Sequence, residues 1–198
     1  MVEHVDAQDP EIHEPKGVSS ATSGDVYVAD GLGSGSWTDF STWTDFPQYV
    51  GINLNDSASG VAVTTVGTTA QKLAVFTAST PNRGISGNIA DDQLEVADTG
   101  AYQVNFNICF ATAAVGDAGR YQFRLRVNDV EPSSPSNYGT IVDMSGTDDL
   151  CCASFSGIIA LTAADEVSVW VESDEAGDTD DINVLEAQLL LTLFRVTA

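Results

Sequence analysis

Apolar and polar positions alternate with a period of two through the second two-thirds of the chain. Tyr102, Val104, Phe106, Ile108 and Phe110 are large and apolar, while Gln103, Asn105 and Asn107 between them are polar. That is the pattern of a strand with one buried face. The next run follows the same rule: Tyr121, Phe123, Leu125 and Val127 share one face, and Arg120, Gln122, Arg124 and Arg126 the other. It predicts a stripe of positive charge that meets carboxylates. Residues 154–161 and 167–171 predict two more strands, separated by a turn at 162–166. The last run, 182–196, differs. Leu185, Ala187, Leu189, Leu191 and Leu193 form one apolar face, yet Val184, Leu190, Phe194 and Val196 place bulky apolar groups on the other. A strand apolar on both faces needs cover on both. Its own sandwich supplies one cover; two sister subunits about a threefold axis are expected to supply the other. Val184, Leu190, Phe194 and Val196 are therefore the expected trimer interface.

Many short strands, turns rich in Gly, Ser and Asp, and no long helical period together predict an all-β sandwich or jelly roll. The stretch before it reads differently. Residues 1–67 show no amphipathic helix and no sustained alternation, and residues 17–36 contain five glycines and five serines. The expected organisation is an extended N-terminal arm, 1–67, followed by a knob, 68–198. Within the arm, DVYVA at 25–29 alternates like a short strand and is closed by a glycine-rich turn at 31–35. A strand without a sheet of its own seeks a partner's edge. A small repeat follows, Trp37-Thr38-Asp39-Phe40 and Trp43-Thr44-Asp45-Phe46. Aromatic residues supply much of the energy of protein interfaces, so Val26, Tyr27, Val28, Trp37, Phe40, Trp43 and Phe46 are the expected anchor on a capsid or neighbouring subunit. The plainer alternative is that they cover the base of the chain's own domain.

Charge narrows the partners. The 198 residues include 29 acidic and 7 basic ones, a net charge of −22. Such a surface repels nucleic-acid phosphates and anionic membranes, so neither is an expected partner. Copies of the chain also repel one another, so an oligomer must rest on an apolar interface or on bound cations. Residues 1–16 carry five acidic residues and no apolar run, unlike a secretory signal. The longest largely apolar stretch, 189–193, is far short of the ~20 residues a bilayer needs. Cys109, Cys151 and Cys152 are an odd set with two members adjacent, read most simply as free thiols. A bridge from Cys109 to Cys151 or to Cys152 is the alternative.

The catalytic motifs sought are absent from the sequence. The two histidines, His4 and His13, both lie in the expected arm, and there is no phosphate loop, zinc spacing or His-Glu-x-x-His run. The expectation is a non-enzyme that needs no cofactor. The acidic segment 172–181 is where calcium would bind, through Asp174, Asp178, Asp180 and Asp181. A solvated turn is the plainer reading, because the spacing of a calcium hand is missing; Asp148 and Asp149 are read the same way.

Two resemblances add to this. Gly100-Ala101-Tyr102-Gln103-Val104-Asn105-Phe106, Arg124-Leu125-Arg126-Val127-Asn128-Asp129, Ser154-Phe155-Ser156-Gly157-Ile158-Ile159-Ala160-Leu161 and Asp165-Glu166-Val167-Ser168-Val169-Trp170 resemble, in that order, the tumour-necrosis-factor and complement-globular-head jelly rolls. Asn128-Asp129 stands where that family has Asn-Gly, Ala164-Asp165 where it has Gly-Asp, and the family's closing Ser-Phe-Ser-Gly signature is absent. The resemblance implies a ten-stranded jelly roll in a tight homotrimer. In the arm, His13-Glu14-Pro15-Lys16-Gly17-Val18, Gly24-Asp25-Val26-Tyr27-Val28-Ala29-Asp30-Gly31 and Gly33-Ser34-Gly35-Ser36-Trp37 resemble a segment of tailed-phage virion proteins. This implies a place on the outer surface of a phage particle, with the major capsid protein or another virion protein as partner. The expected role is capsid decoration or cement, as a head-fibre protein. The alternative is a tail-fibre or receptor-binding tip that recognises a host glycan. The arm is short and lacks heptads or repeats of a shaft, which favours decoration.

Overall fold

The computed structural model describes residues 22, 25–29, 35–39, 48–55, 60–112, 119–132, 138–144, 150–174 and 180–196. The chain falls into two compact units, Met1–Phe46 and Pro47–Ala198. In the first, strands β1 (Asp25–Ala29) and β2 (Gly35–Asp39) pair antiparallel, with Tyr27 opposite Trp37. The two rings meet edge to face with centroids 5.4 Å apart, an arrangement that suits aromatic quadrupoles. The strand expected to seek an outside edge has therefore found its partner ten residues along its own chain.

The second unit is a sandwich of two antiparallel sheets. One has the order β12 (Leu150–Leu161), β9 (Gly100–Thr112), β14 (Asp180–Val196), β3 (Tyr49–Leu54) and β6 (Ala78–Ser79), with β4 (Val61–Val66) also paired to β14. The other has the order β11 (Gly139–Met144), β10 (Gly119–Val127), β13 (Glu166–Ser173), β8 (Gln93–Val96) and β7 (Ile85–Asn88), with β5 (Gln71–Lys72) on β13. From β9 onward the chain passes between the sheets, β9 to β10, β11 to β12, β12 to β13 and β13 to β14, as a jelly roll requires. The expected boundary at residue 67 is corrected by β3 and β4, which pair with the last strand and belong to the sandwich. Val50, Ile52 and Leu54 alternate inward, but a run of three apolar positions interrupted by Gly51 is too short to stand out in the sequence.

The alternation of β9 and β10 is realised in full. Phe106 meets Phe155 of the neighbouring strand β12 and Phe123 of β10 in the facing sheet, and Phe110 meets Tyr121 and Phe123 of β10, with ring centroids 5.1 to 6.1 Å apart. Tyr102 is buried and its hydroxyl donates to the carbonyl of Asp98 four residues back (2.7 Å), tying the entry of β9 to the core. After β10 the chain reverses through Asn128 and Asp129 at φ 51° and 61°, the left-handed pair that a two-residue type I′ hairpin turn needs. Asn128 supports the turn by donating to Asp165 (2.8 Å) and accepting from the Glu166 amide (2.9 Å). An Asn-Asp pair thus does the work of Asn-Gly, since both residue types tolerate this region.

Asp92 sits at φ 52° between β7 and β8, and its Oδ1 accepts from the Phe76 amide (2.8 Å). Burial pushes its carboxyl above the usual aspartate range, opposed by the backbone hydrogen bonds from Phe76 and Val75 and by Lys72. A raised folded-state value favours the protonated form. The group's favourable contribution is therefore complete below the ordinary aspartate range and lost as pH rises through its raised folded value. Asp92→Asn keeps the acceptor and the left-handed backbone but cannot ionise. Urea unfolding should show the variant more stable than the parent at neutral pH, with the difference vanishing in acid; a difference unchanged with pH would refute the assignment.

Candidate assembly interface

The register of the first sheet sets out its outward face row by row. Ile158, Gln103, Thr192 and Tyr49 lie side by side across β12, β9, β14 and β3. The next row is Ser156, Asn105, Leu190 and Gly51, then Ser154, Asn107, Gln188 and Asn53, then Cys152, Cys109 and Glu186. On a molecule of net charge −22, the one charged side chain in these four rows is Glu186. The apolar groups gather at one end: Phe194 is 70% exposed, Ile158 55% and Tyr49 45%.

The other sheet presents the opposite kind of surface. Arg120 pairs with Asp143 (2.8 Å) and Asp174 (3.9 Å), Lys72 with Asp129 (3.1 Å), and Arg124 with Glu131 and with Glu172 (3.7 Å). Arg126 lies over the Trp170 ring, 4.2 Å from its centroid. The predicted basic stripe does meet carboxylates, on strand neighbours and flanking turns. Exposed pairs of this kind contribute at most about 1 kcal/mol each, so they describe a solvated face more than a source of stability.

The expected interface residues divide. Leu190 is half-buried on the outward face and Phe194 is exposed. Val184 is corrected: it is wholly buried in the chain's own core. The reason is a bulge between Val184 and Glu186, where Leu185 is the extra residue against β9. A bulge inserts one residue and reverses the phase of everything beyond it, so Val184 and Leu189 face the same way although their numbers differ in parity. Val196 ends β14, and its side chain lies outside the described residues, as do those of Asp180 and Asp181. Of the other calcium candidates, Asp174 is engaged with Arg120, accepting also from its amide (3.1 Å); Asp178, Asp148 and Asp149 lie outside the described residues. Among the described residues no group of three or more His, Cys, Asp or Glu is arranged to hold a metal. Of the expected anchor residues, Val26, Tyr27, Val28 and Trp37 are half-buried on the β1–β2 hairpin, while Phe40, Trp43 and Phe46 lie outside the described residues.

Sequence reasoning did not single out Ile158 or Tyr49. The signal for Ile158 was present: Ile158 and Ile159 are adjacent in an alternating strand, so one of them must face outward. The reading of three free thiols is also corrected. Cys109 and Cys152 are bonded, as directly opposed residues of β9 and β12 with Cα atoms 4.1 Å apart, and Cys151 is the free one, turned toward the core.

The strand order and connections define the class: a jelly roll of the tumour-necrosis-factor type. Solved structures share this fold. The chain is similar to the Eiger TNF from S. frugiperda, at 13% identity and a TM-score of 0.53, covering 76% of this chain and 96% of that one. It is similar also to murine APRIL, at 12% identity and a TM-score of 0.50, covering 75% of this chain and 100% of that one. At these identities the likeness is one of fold. No family model and no curated protein matches the sequence.

Proposed function

We propose that the chain is a non-catalytic assembly module: a jelly-roll knob that forms a homotrimer through the apolar end of the outward face of the β12, β9, β14 and β3 sheet. We propose further that it decorates the outer surface of a phage particle, held to the major capsid protein or another virion protein by residues 1–46. The observation that carries the trimer is where charge is missing. Copies of a chain at −22 repel one another, and the face that can approach a copy is the one bearing a single carboxylate in four rows and exposing Phe194, Ile158 and Tyr49. The rim of that face agrees. Strand β12 runs twelve residues at the sheet edge with no charge, no proline and no bulge, the protections an edge left in solvent normally carries. The edges β6, β7 and β11 are two, four and six residues long, and β11 carries Asp143.

Attachment to a particle is supported by the virion-like segment at 13–37 and by the density of aromatic residues at 37–46. A place on the outside is favoured because packaged DNA repels so acidic a chain. Sedimentation equilibrium should give three times the 20.8 kDa chain mass. Combining Ile158→Asp with Phe194→Asp should lower it to the single-chain mass with an unchanged far-UV spectrum, because six carboxylates would then face one another without partners. A parent protein that sediments as a single chain sinks the trimer. Deleting residues 1–46 should abolish attachment to particles and leave the trimer intact, and undiminished attachment refutes the anchor.

A further inference from the structure

The outward face holds a recess that assembly through its apolar end does not need. Strand β14 pairs with β3 up to Ala187, opposite Leu54, and with β4 from Val184, opposite Val61. Leu185 and Glu186 fall between the two partners, at the bulge, and a cavity of about 290 Å³ opens there. Leu54, Ile108 and Ala187, whose side chains turn into the core, run beneath it, and the bonded Cys109 lines one side. Its polar walls are Asn55, Asn107, Glu186 and Gln188. The nearest walls of the recess, Asn107 and Gln188, lie four residues along β9 from Gln103 in the Tyr49 and Ile158 row, about 13 Å away at the rise of a strand, and Cys109 and Glu186 lie two residues further.

We propose that this recess binds a single neutral polyhydroxylated ring, a pyranose. The argument is the mixture of hydrogen-bonding groups. Asn107 Nδ2 donates to Gln188 Oε1 (3.3 Å), which leaves the Asn107 oxygen as an acceptor and the Gln188 amide NH₂ as a donor. Asn55 offers one of each, and the Glu186 carboxylate is an acceptor with no hydrogen-bond or ion-pair partner among the described residues. A ligand ammonium would call for acceptors alone, and a phosphate or sulfate for donors alone; an anion would moreover face the chain's overall negative charge. Hydroxyl groups both donate and accept, and so match the set. The volume lies near the lower bound of about 300 Å³ for small-molecule sites, room for one ring. This ligand site goes beyond the assembly role and is independent of whether the knob is attached to a particle.

Saturation-transfer NMR on the full-length protein with methyl α-D-mannopyranoside, methyl β-D-galactopyranoside and methyl N-acetyl-β-D-glucosaminide, each at millimolar concentration, tests it. Ring protons of at least one glycoside should receive saturation. Glu186→Ala and Gln188→Ala, each with an unchanged far-UV spectrum, should weaken that binding by about tenfold or more, the range for a lost hydrogen bond to a charged or buried group. Glu186→Gln retains an acceptor and should cost less than Glu186→Ala. No transfer to any of the three glycosides overturns the proposal, as does equal transfer in the alanine variants. Methylammonium binding that Glu186→Gln abolishes, without glycoside binding, would make the recess a cation site and overturn it equally.

Discussion

Replacing Phe106 by alanine should cost the sandwich about 3–5 kcal/mol, the range for truncating a buried aromatic, and so remove a large share of a typical domain stability of about 5–15 kcal/mol. Phe106 is 1% exposed and stands between Phe155 on the neighbouring strand β12 and Phe123 on the facing sheet, at 5.1 and 6.1 Å. Its loss leaves a cavity that cannot close easily, because β9 is held on one side by β12 and on the other by β14, along nearly its whole length. Phe106→Leu, which fills most of the space, should cost appreciably less. Urea midpoints at unchanged slope measure both. A loss below about 1 kcal/mol for Phe106→Ala would mean that the aromatic cluster does not join the two sheets, a cost out of line with a closely packed core.

Removing the Cys109–Cys152 bond should cost about 2–4 kcal/mol and lower the melting temperature by roughly 5–15 °C while leaving the fold intact. The bond joins residues 43 apart in sequence, so its effect falls on the unfolded chain, where it closes a long loop. In the folded state it is hardly needed, since β9 and β12 are already paired over twelve consecutive residues. Both sulfurs belong to the outward face, Cys152 exposed and Cys109 half-buried, so the Cys109→Ser, Cys152→Ser double variant opens no cavity. The reduced parent and the double variant should melt together, with native far-UV spectra. Collapse of the spectrum on reduction would contradict the independence of the strand pairing from the bond.

Both expectations show how differently parts of the molecule could be read from sequence. The strands β9 and β10, which carry most of the aromatic cluster, were legible because successive side chains on a strand point to opposite faces: their alternation is a local property, and it already implied two buried faces and a β-sandwich. The basic stripe was legible for the same reason. Glu186 was not, because nothing about a lone glutamate in an apolar run tells that it stands between the ends of two partner strands.

The residues alone determined that the chain is all-β and which faces of β9 and β10 are buried. The tertiary structure decided the rest: that the sandwich begins before residue 68 with β3 and β4, that β1 closes on β2, that Cys109 takes Cys152, and that Val184 turns inward while Phe194 turns out. Each of these depends on the register between segments far apart in the chain. A period of two is set by the backbone of one strand, whereas a bulge, a partner edge or a cross-strand thiol pair is set by two strands together, and a single added residue such as Leu185 reverses the phase between the residues before it and those after it, until the next shift at Leu193 and Arg195.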